Sequence, residues 1–305
     1  MKFSPTNKYI NYNLLKETIT IVLYVMKKIS IQILSDIHLE FSYTFPKIKP
    51  LAKYLCLSGD IGTISNKHDV KVKNFLSYCS SNWEKTFYVL GNHEFYQVDD
   101  NKICLEDLET TYQEICQSFP NVYLLNNNYQ EIVPGLNIYG TTLWTNNYGF
   151  PKTKPACTML NDYNMITTKS KKNYNIPLTE KYINDLSVSQ LNSLATFLQN
   201  TNTNTDTNNN NKSIIMTHFP PIRQNISNPK YSSQPEYTTN YFSWNNIYSY
   251  LNCNNIIGWI SGHTHWSHDF MKDNIRFVSN QTGYSKEHKN GVSKFEPDKV
   301  FEIEY

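Results

Sequence analysis

The sequence predicts an α/β fold, and three observations carry that expectation. Five short apolar runs, at 31–38, 54–60, 87–94, 214–218 and 256–265, each end abruptly in Asp, Asn or His. A short apolar run closed by a polar turn reads as a buried strand. Between the runs, apolar residues recur every three or four positions, the stripe of a helix packed on a sheet. The third observation is where the polar residues fall. Open α/β sheets collect ligands just beyond the carboxyl ends of their strands. The five runs bring Asp36, His38, Asp60, Asn92, His93, His218, His263 and His265 to such ends.

Taken in order, the chain starts with an addition. Residues 1–28 read as an N-terminal extension that is dispensable, with Met26 a natural beginning for the first strand. Its apolar stretch at 19–25 is shorter than the ~20 residues a membrane span needs, and no small-residue cleavage site follows it. The first strand then runs into Asp36 and His38. Because residues alternate faces along extended chain, these two side chains are expected to point the same way. After Asp60, the spacing of Val72, Leu76, Cys79 and Trp83 predicts one helix, and Leu108, Tyr112, Ile115 and Phe119 predict a second after Glu94. Residues 137–144 read as a strand. The polar, Lys-rich and Pro-punctuated stretch 145–185 suits a surface excursion, a lid or substrate wall. A helix over 187–198 turns Leu191, Leu194, Ala195 and Leu198 inward, with Ser187 as its N-cap. The Asn/Thr-rich tract 201–211 has no apolar area to bury and reads as a disordered loop. Strand-like runs at 275–279 and 299–304 close the chain. With no internal repeat and no clear linker, residues 29–305 read as one domain.

Composition sets limits on function. The 305 residues carry a formal net charge of +2, which gives no strong nucleic-acid or membrane signal. Arg occurs only at Arg223 and Arg276. The six cysteines are scattered with no Cys-x-x-Cys pair, as for reduced thiols of a cytoplasmic protein.

The polar strand ends need a common cause. A single His at a strand end is more often solvated or satisfied in the core than a ligand, but here the pattern repeats five times. A metal centre accounts for all of it. Oxygen and imidazole donors without thiolate suit Mn, Fe, Zn, Co or Ni better than a structural zinc site. Asp60 lies between the other motifs in sequence and suits a bridge between two ions. Two cations held ~3.5–4 Å apart clamp both oxygens of a phosphoryl displacement, and the water between them becomes a hydroxide nucleophile near neutral pH.

In this order the motifs Asp36-x-His38, Gly59-Asp60, Gly91-Asn92-His93-Glu94, Thr217-His218 and Gly262-His263-x-His265 resemble the calcineurin-like metallophosphoesterase superfamily. The stretches 35–41, 92–96, 141–144 and 161–163 are similar to a bacterial-type branch whose members are mostly uncharacterised. The resemblance covers about 29–305. It implies a four-layer α/β/β/α sandwich of two mixed sheets, with a dinuclear metal site at one rim. By the same resemblance, one ion takes Asp36, His38, Asp60 and His265, and the other takes Asp60, Asn92, His218 and His263. His93 is then catalytic, standing beside the phosphate to stabilise charge or protonate the leaving oxygen. Two positions depart from the pattern. Asn280-Gln281-Thr282-Gly283-Tyr284 stands where relatives often show Asn-Pro-Arg-Gly-Tyr, and Phe219 replaces a His found in many. Both bear on specificity rather than on ligands. His68, His268 and His288 lie outside the motifs and read as surface residues.

The resemblance implies a metal-dependent hydrolase of phosphate esters. No Arg follows Asp60 or His93, so bidentate clamping of a dianionic phosphomonoester is weakly provided for. Small phosphodiesters are therefore the expected substrates, with manganese a fitting metal. Two alternatives belong to other classes. A recombination-repair nuclease needs a basic duplex-binding face that a net +2 does not supply. An inactive, metal-stabilised binding protein would have lost ligands or the catalytic His, and all are present. The expected partner is a small phosphoester, with nucleic acid less favoured and no membrane. The sequence says nothing of oligomeric state.

Overall fold

The computed structural model describes residues 27–41, 48–64, 69–97, 102–146, 160–203, 211–231, 233–234, 241–251 and 253–305. The N-terminal segment before Lys27 and Cys157 lie outside the described residues, as do His68 and 204–210.

Five of the strands build the first sheet. They are β1 (Lys28–Leu34), β2 (Tyr54–Ser58), β3 (Lys85–Val89), β4 (Val122–Leu124) and β13 (Val300–Glu304). Their order is β13-β1-β2-β3-β4, parallel throughout except for the antiparallel β13 edge. The second sheet has the order β11-β12-β10-β9-β6-β5. It combines β5 (Asn128–Val133), β6 (Leu136–Thr141), β9 (Lys212–Thr217), β10 (Ile256–Ile260), β11 (His268–Lys272) and β12 (Ile275–Ser279). Strands β6, β9, β10 and β12 run parallel, with antiparallel β5 and β11 at the edges.

Strand alternation explains the layering. On β1, Ile29, Ile31 and Ile33 point into a core shared with Cys56, Phe87, Ile138, Ile214, Met216 and Ile260, which lies between the two sheets. The intervening side of the first sheet, with Leu55, Leu57 and Tyr88, packs against Val72, Phe75 and Leu76 of α1 (Asp69–Asn82) and against Leu108, Tyr112 and Ile115 of α2 (Leu105–Gln117). The outer side of the second sheet, with Tyr139, Ile215 and Trp259, receives Leu194, Phe197 and Leu198. Parallel strands covered on both faces must be apolar on both faces, which is why these runs read as nearly continuous hydrophobic stretches. The result is the expected four-layer sandwich. One polar exception inside it is Gln32 on β1. Its amide donates to Lys49 O at 2.8 Å and accepts from Leu51 N and Trp83 Nε1, so its burial leaves no orphan.

Within the stretch 160–185, Asp162, Tyr163, Ile166, Thr168, Leu178 and Ile183 turn inward, while 171–175 stay exposed as expected of a surface excursion. The stretch holds a short helix α3 (Asp162–Met165), a hairpin of β7 (Thr167–Lys169) and β8 (Asn175–Pro177), and the start of α4 (Glu180–Thr203). This helix starts seven residues before the expected N-cap. Thr179 Oγ1 accepts from Tyr182 N at 3.2 Å and caps it, whereas Ser187 is buried within the helix and accepts from Asn146 Nδ2 at 3.2 Å. At its other end α4 runs on through Thr203, into the tract expected to be a loop from 201. His268 is a second correction. It is 9% exposed on β11, where its neighbours cover it, while His288 is exposed as expected. The described cysteines Cys56, Cys79, Cys104, Cys116 and Cys253 are free thiols. No helix among the described residues is long and apolar enough to cross a membrane.

Candidate metal centre

The polar residues converge where β1, β2 and β3 of one sheet and β9 and β10 of the other all end. Asp36, His38, Asp60, Asn92 and His218 are buried, and His263 and His265 are half-buried beside them. Strand alternation is not what aims them. β1 ends at Leu34, and Asp36, His38, Asp60, His263 and His265 all have left-handed backbone, φ between 52° and 74°. Such conformations cost about 1–3 kcal/mol each for non-glycine residues and persist only where surroundings enforce them. Here Asp36 N donates to Gly59 O at 3.0 Å, His38 N to Asp60 O at 3.0 Å and Leu39 N to Ile61 O at 2.9 Å, lacing the two strand-end loops together. Gly91 is required by close approach, because a Cβ there would collide with the Asp60 carboxylate and lie 2.6 Å from its backbone nitrogen.

Two imidazole pairs face each other nitrogen to nitrogen. His38 Nε2 stands 3.0 Å from His265 Nε2, and His218 Nε2 stands 3.2 Å from His263 Nδ1. Asp60 lies across both pairs, with Oδ1 at 3.4 Å from His218 Nε2 and Oδ2 at 4.0 Å from His38 Nε2. Asp36 Oδ1 lies 3.6 Å from His265 Nε2, and Asn92 Oδ1 lies 3.1 Å from His218 Nε2. Three groups, Asp36 with His38 and His265, Asp60 with His218 and His263, and His38 with Asp60 and His93, offer donor atoms close enough to share a cation. Ring nitrogens crowded this closely around buried carboxylates suit a divalent cation, and O/N donors without thiolate match Mn, Fe, Zn, Co or Ni. The residues present therefore fit the metals that the sequence implies. His93 is the ambiguous member, because geometry alone also allows it as a donor.

A second layer of partners fixes the rings, as is usual around metal-binding imidazoles. Glu40 Oε1 lies 3.1 Å from His38 Nδ1 and 2.9 Å from His93 Nδ1. Glu287 Oε2 lies 2.5 Å from His265 Nδ1, and Ser58 O lies 2.9 Å from His218 Nδ1. In each case the far nitrogen is left to face the cluster. Asp162 does the same for the amide. Its Oδ1 accepts from Asn92 Nδ2 at 2.9 Å and from Tyr96 OH at 2.6 Å, which turns Asn92 Oδ1 toward His218. Glu94, fully buried, accepts from Gly91 N, Asp60 N and Ile61 N at 2.7–3.0 Å and from Tyr88 OH at 2.8 Å, bolting the β2 and β3 loops to each other. Sequence reading found the cluster and missed Glu40, Glu287 and the roles of Asp162 and Glu94. Only the i, i+2 spacing of Asp36, His38 and Glu40 hints at one of them.

Electrostatics follow the geometry. Burial works to raise Asp60, but the imidazoles of His218 and His93 outweigh it and hold its carboxyl well below the usual range. Burial wins at Asp36, whose carboxyl is raised. Burial would lower His218, yet Asp60 lifts it to about 9. His93 likewise rises to about 9, with Asp60 and Glu40 overcoming burial. His263 goes the other way, pushed well down by burial and by His218. Glu40 is drawn down to about 2 against its own burial by hydrogen bonds from His38 and His93.

The two departures from the expected motifs are both packed residues. Phe219 is 1% exposed, and its ring centre lies 4.2 Å from that of His263. Thr282 N donates to Ser35 O at 3.0 Å, closing the β12 end onto the β1 end. Neither displaces a candidate ligand.

A sequence profile of the calcineurin-like phosphoesterase family matches residues 29–267. The chain belongs to this family. It is also 31% identical over 270 residues to the uncharacterized protein L509 of Acanthamoeba polyphaga mimivirus, spanning 84% of this chain and 91% of that protein. Among solved structures it is similar to phosphopantetheinyl hydrolase from Mycobacterium tuberculosis, with a TM-score of 0.61 at 15% identity over 87% of this chain and 93% of that one. At that identity the likeness is one of fold. Family and fold together establish a metal-dependent phosphoesterase with its His/Asp cluster at the sheet rim.

Proposed function

We propose that this phosphoesterase is dinuclear and acts on small phosphodiesters. The observation that carries the first half is Asp60, whose two oxygens face different imidazole pairs. In this reading one site is Asp36, His38, Asp60 and His265, and the other is Asp60, Asn92, His218 and His263. Two divalent cations held there would polarise the phosphoryl oxygens and activate water near neutral pH. His93 works from outside the metal sites. Glu40 holds its Nδ1 at 2.9 Å and turns Nε2 toward the pocket, placed to hand a proton to the leaving oxygen. The catalytic domain runs from about residue 27 to 305, two residues earlier than the expected start at 29 because Lys27 and Lys28 pair with the β13 edge; the segment before it is an extension outside the domain, and the setting is cytoplasmic.

The charge of the pocket supports a diester. Among the described residues its lining includes one Arg, Arg223, and no Lys, with His93, His263 and His265 as its other nitrogen bases. The other arginine, Arg276, makes two 2.8 Å bonds to Asp269 between β11 and β12. A phosphomonoester carries nearly two charges at pH 7, while a diester carries one and asks less beyond the cations. The test compares kcat/KM for a chromogenic diester and a phosphothreonine peptide at one Mn concentration. The diester is expected to be at least as good. A peptide preference of about 100-fold, about 2.7 kcal/mol of discrimination, would sink the diester assignment.

A further inference from the structure

The cavity over the metal centre has a volume of about 520 Å³, within the ~300–1,000 Å³ common for small-molecule sites. Five Tyr and Phe rings stand in its walls. Tyr96, Tyr231, Tyr241, Phe242 and Tyr284 all line it. Large hydrophobic side chains that stay exposed are also gathered at this rim. Phe41 is 62% exposed, Tyr231 44%, and Phe242 and Tyr284 41% each. Exposed apolar side chains grouped around a cleft mark a binding surface, whereas scattered ones need no explanation.

Several of these rings pack on the imidazoles of the candidate metal centre. Phe242 stacks over His263, with ring centres 5.6 Å apart and planes 27° from parallel. Tyr284 lies 4.5 Å from His265 and 4.7 Å from His38, and Phe41 packs edge-on against it at 5.7 Å. A flat group entering the cavity meets the packed rings of Phe242 and Tyr284, with Tyr231 also in the wall and Gln234 and Ser243 there to bond heteroatoms at its edge. An unbranched acyl or amide chain would be met by aliphatic walls more naturally than by these planes. A long nucleic-acid strand needs a basic track along its backbone, and among the described residues the lining holds Arg223 and no other Arg or Lys, its remaining basic groups being the imidazoles of the metal centre.

Resting on the diesterase reading above, we propose that the substrate is a phosphodiester of a single nucleoside, whose base stacks on the Phe242 and Tyr231 side of the cavity while the phosphate sits on the metals. Base–aromatic stacking is worth about 1–3 kcal/mol per base, a factor of roughly 5 to 150.

The experiment uses the full chain loaded with Mn and two substrates alike in charge and leaving groups. They are the methyl diester of thymidine 5′-phosphate and the methyl diester of the base-less deoxyribose 5-phosphate, with products separated by chromatography. The thymidine ester is expected to have a kcat/KM at least ~5-fold higher. Phe242→Leu, which keeps apolar volume and removes the ring face, should collapse that ratio toward one, and Phe242→Trp should preserve it. A native ratio near one, or a ratio unmoved in both Phe242→Leu and Tyr231→Leu, overturns the stacking proposal. Bis(4-nitrophenyl) phosphate is run alongside. If it is turned over while the ratio is one, only the stacking proposal falls. If the metal-loaded protein cleaves none of the three, the diesterase reading falls and this proposal with it.

Discussion

Asp162→Ala tests whether the stretch 160–185 belongs to the metal centre or merely covers it. Asp162 is 7% exposed, and one of its oxygens accepts from both Asn92 Nδ2 and Tyr96 OH. Hydrogen bonds to a charged acceptor contribute about 1.5–3 kcal/mol each. Removing the carboxylate should cost about 2–4 kcal/mol of stability, less than the sum because Asn92 Nδ2 keeps its 3.1 Å contact with Tyr96 OH. The more telling loss is orientational. Without Asp162 the remaining partner, the Tyr96 hydroxyl, can bond either end of the amide, so Asn92 is no longer held to present oxygen toward His218, and a flipped amide offers a donor where a cation needs an acceptor. Partners of this kind typically contribute 10- to 100-fold in metal affinity. Calorimetric titration of Mn into chelator-treated protein should show one of two sites weakened by that factor and the other unchanged. Asp162→Asn, which can still accept from Asn92, should fall between. If the alanine variant folds and binds both ions with native affinity, Asp162 does not position Asn92 and the reasoning is wrong.

Two further outcomes are expected. His93→Ala should lower kcat by ~10²–10⁴, the range for a positioned acid–base group, while elemental analysis still finds two metals per chain; loss of a metal would instead make His93 a ligand. The stability of the chain should fall between pH 6.5 and 4 through His268, which burial pushes down to about 4. Its unfolded pKa is ~6.5, so its contribution is complete above that value and is lost as pH drops, by about 2 kcal/mol at pH 5. His268→Gln should remove that part of the slope in urea unfolding at pH 7 and pH 5, and an identical slope in both proteins would refute it.

The fold was legible in the sequence wherever a strand is buried on both faces or a helix on one. β1, β2, β3, β9 and β10 read as apolar runs, and α1 and α2 as stripes, because burial constrains most of their positions. Edge strand β5 did not, since four of its six residues are exposed and carry no pattern. The start of α4 was misplaced because Ser187 has the chemistry of a cap, whereas the turns before it are fixed by Ile183 packing with Leu105, Leu108 and Tyr112 on the helix side of the first sheet, a tertiary contact that local spacing does not show. The candidate ligands were legible as residue types at strand ends. Their supports were not, because Glu40, Asp162 and Glu287 act through contacts set by the tertiary fold. Asp162, for example, reaches Asn92 across seventy positions.

The backbone at the site explains why those supports are so numerous. Asp36 and His38 were expected to share a direction because extended chain alternates, yet the strand stops before them and both adopt left-handed backbone. Three further candidate ligands, Asp60, His263 and His265, do the same. At about 1–3 kcal/mol apiece, this strain is comparable to the whole stability of a small domain, so it must be offset locally. Glu94 and the inter-loop hydrogen bonds of Asp36, His38 and Leu39 are the groups placed to offset it. They also bind loops that belong to different strands, so strain at one ligand is resisted by the backbone of another. A ligand set built this way cannot relax one member at a time. It is held as a unit, which is the preorganisation that charge stabilisation at a reacting phosphate requires.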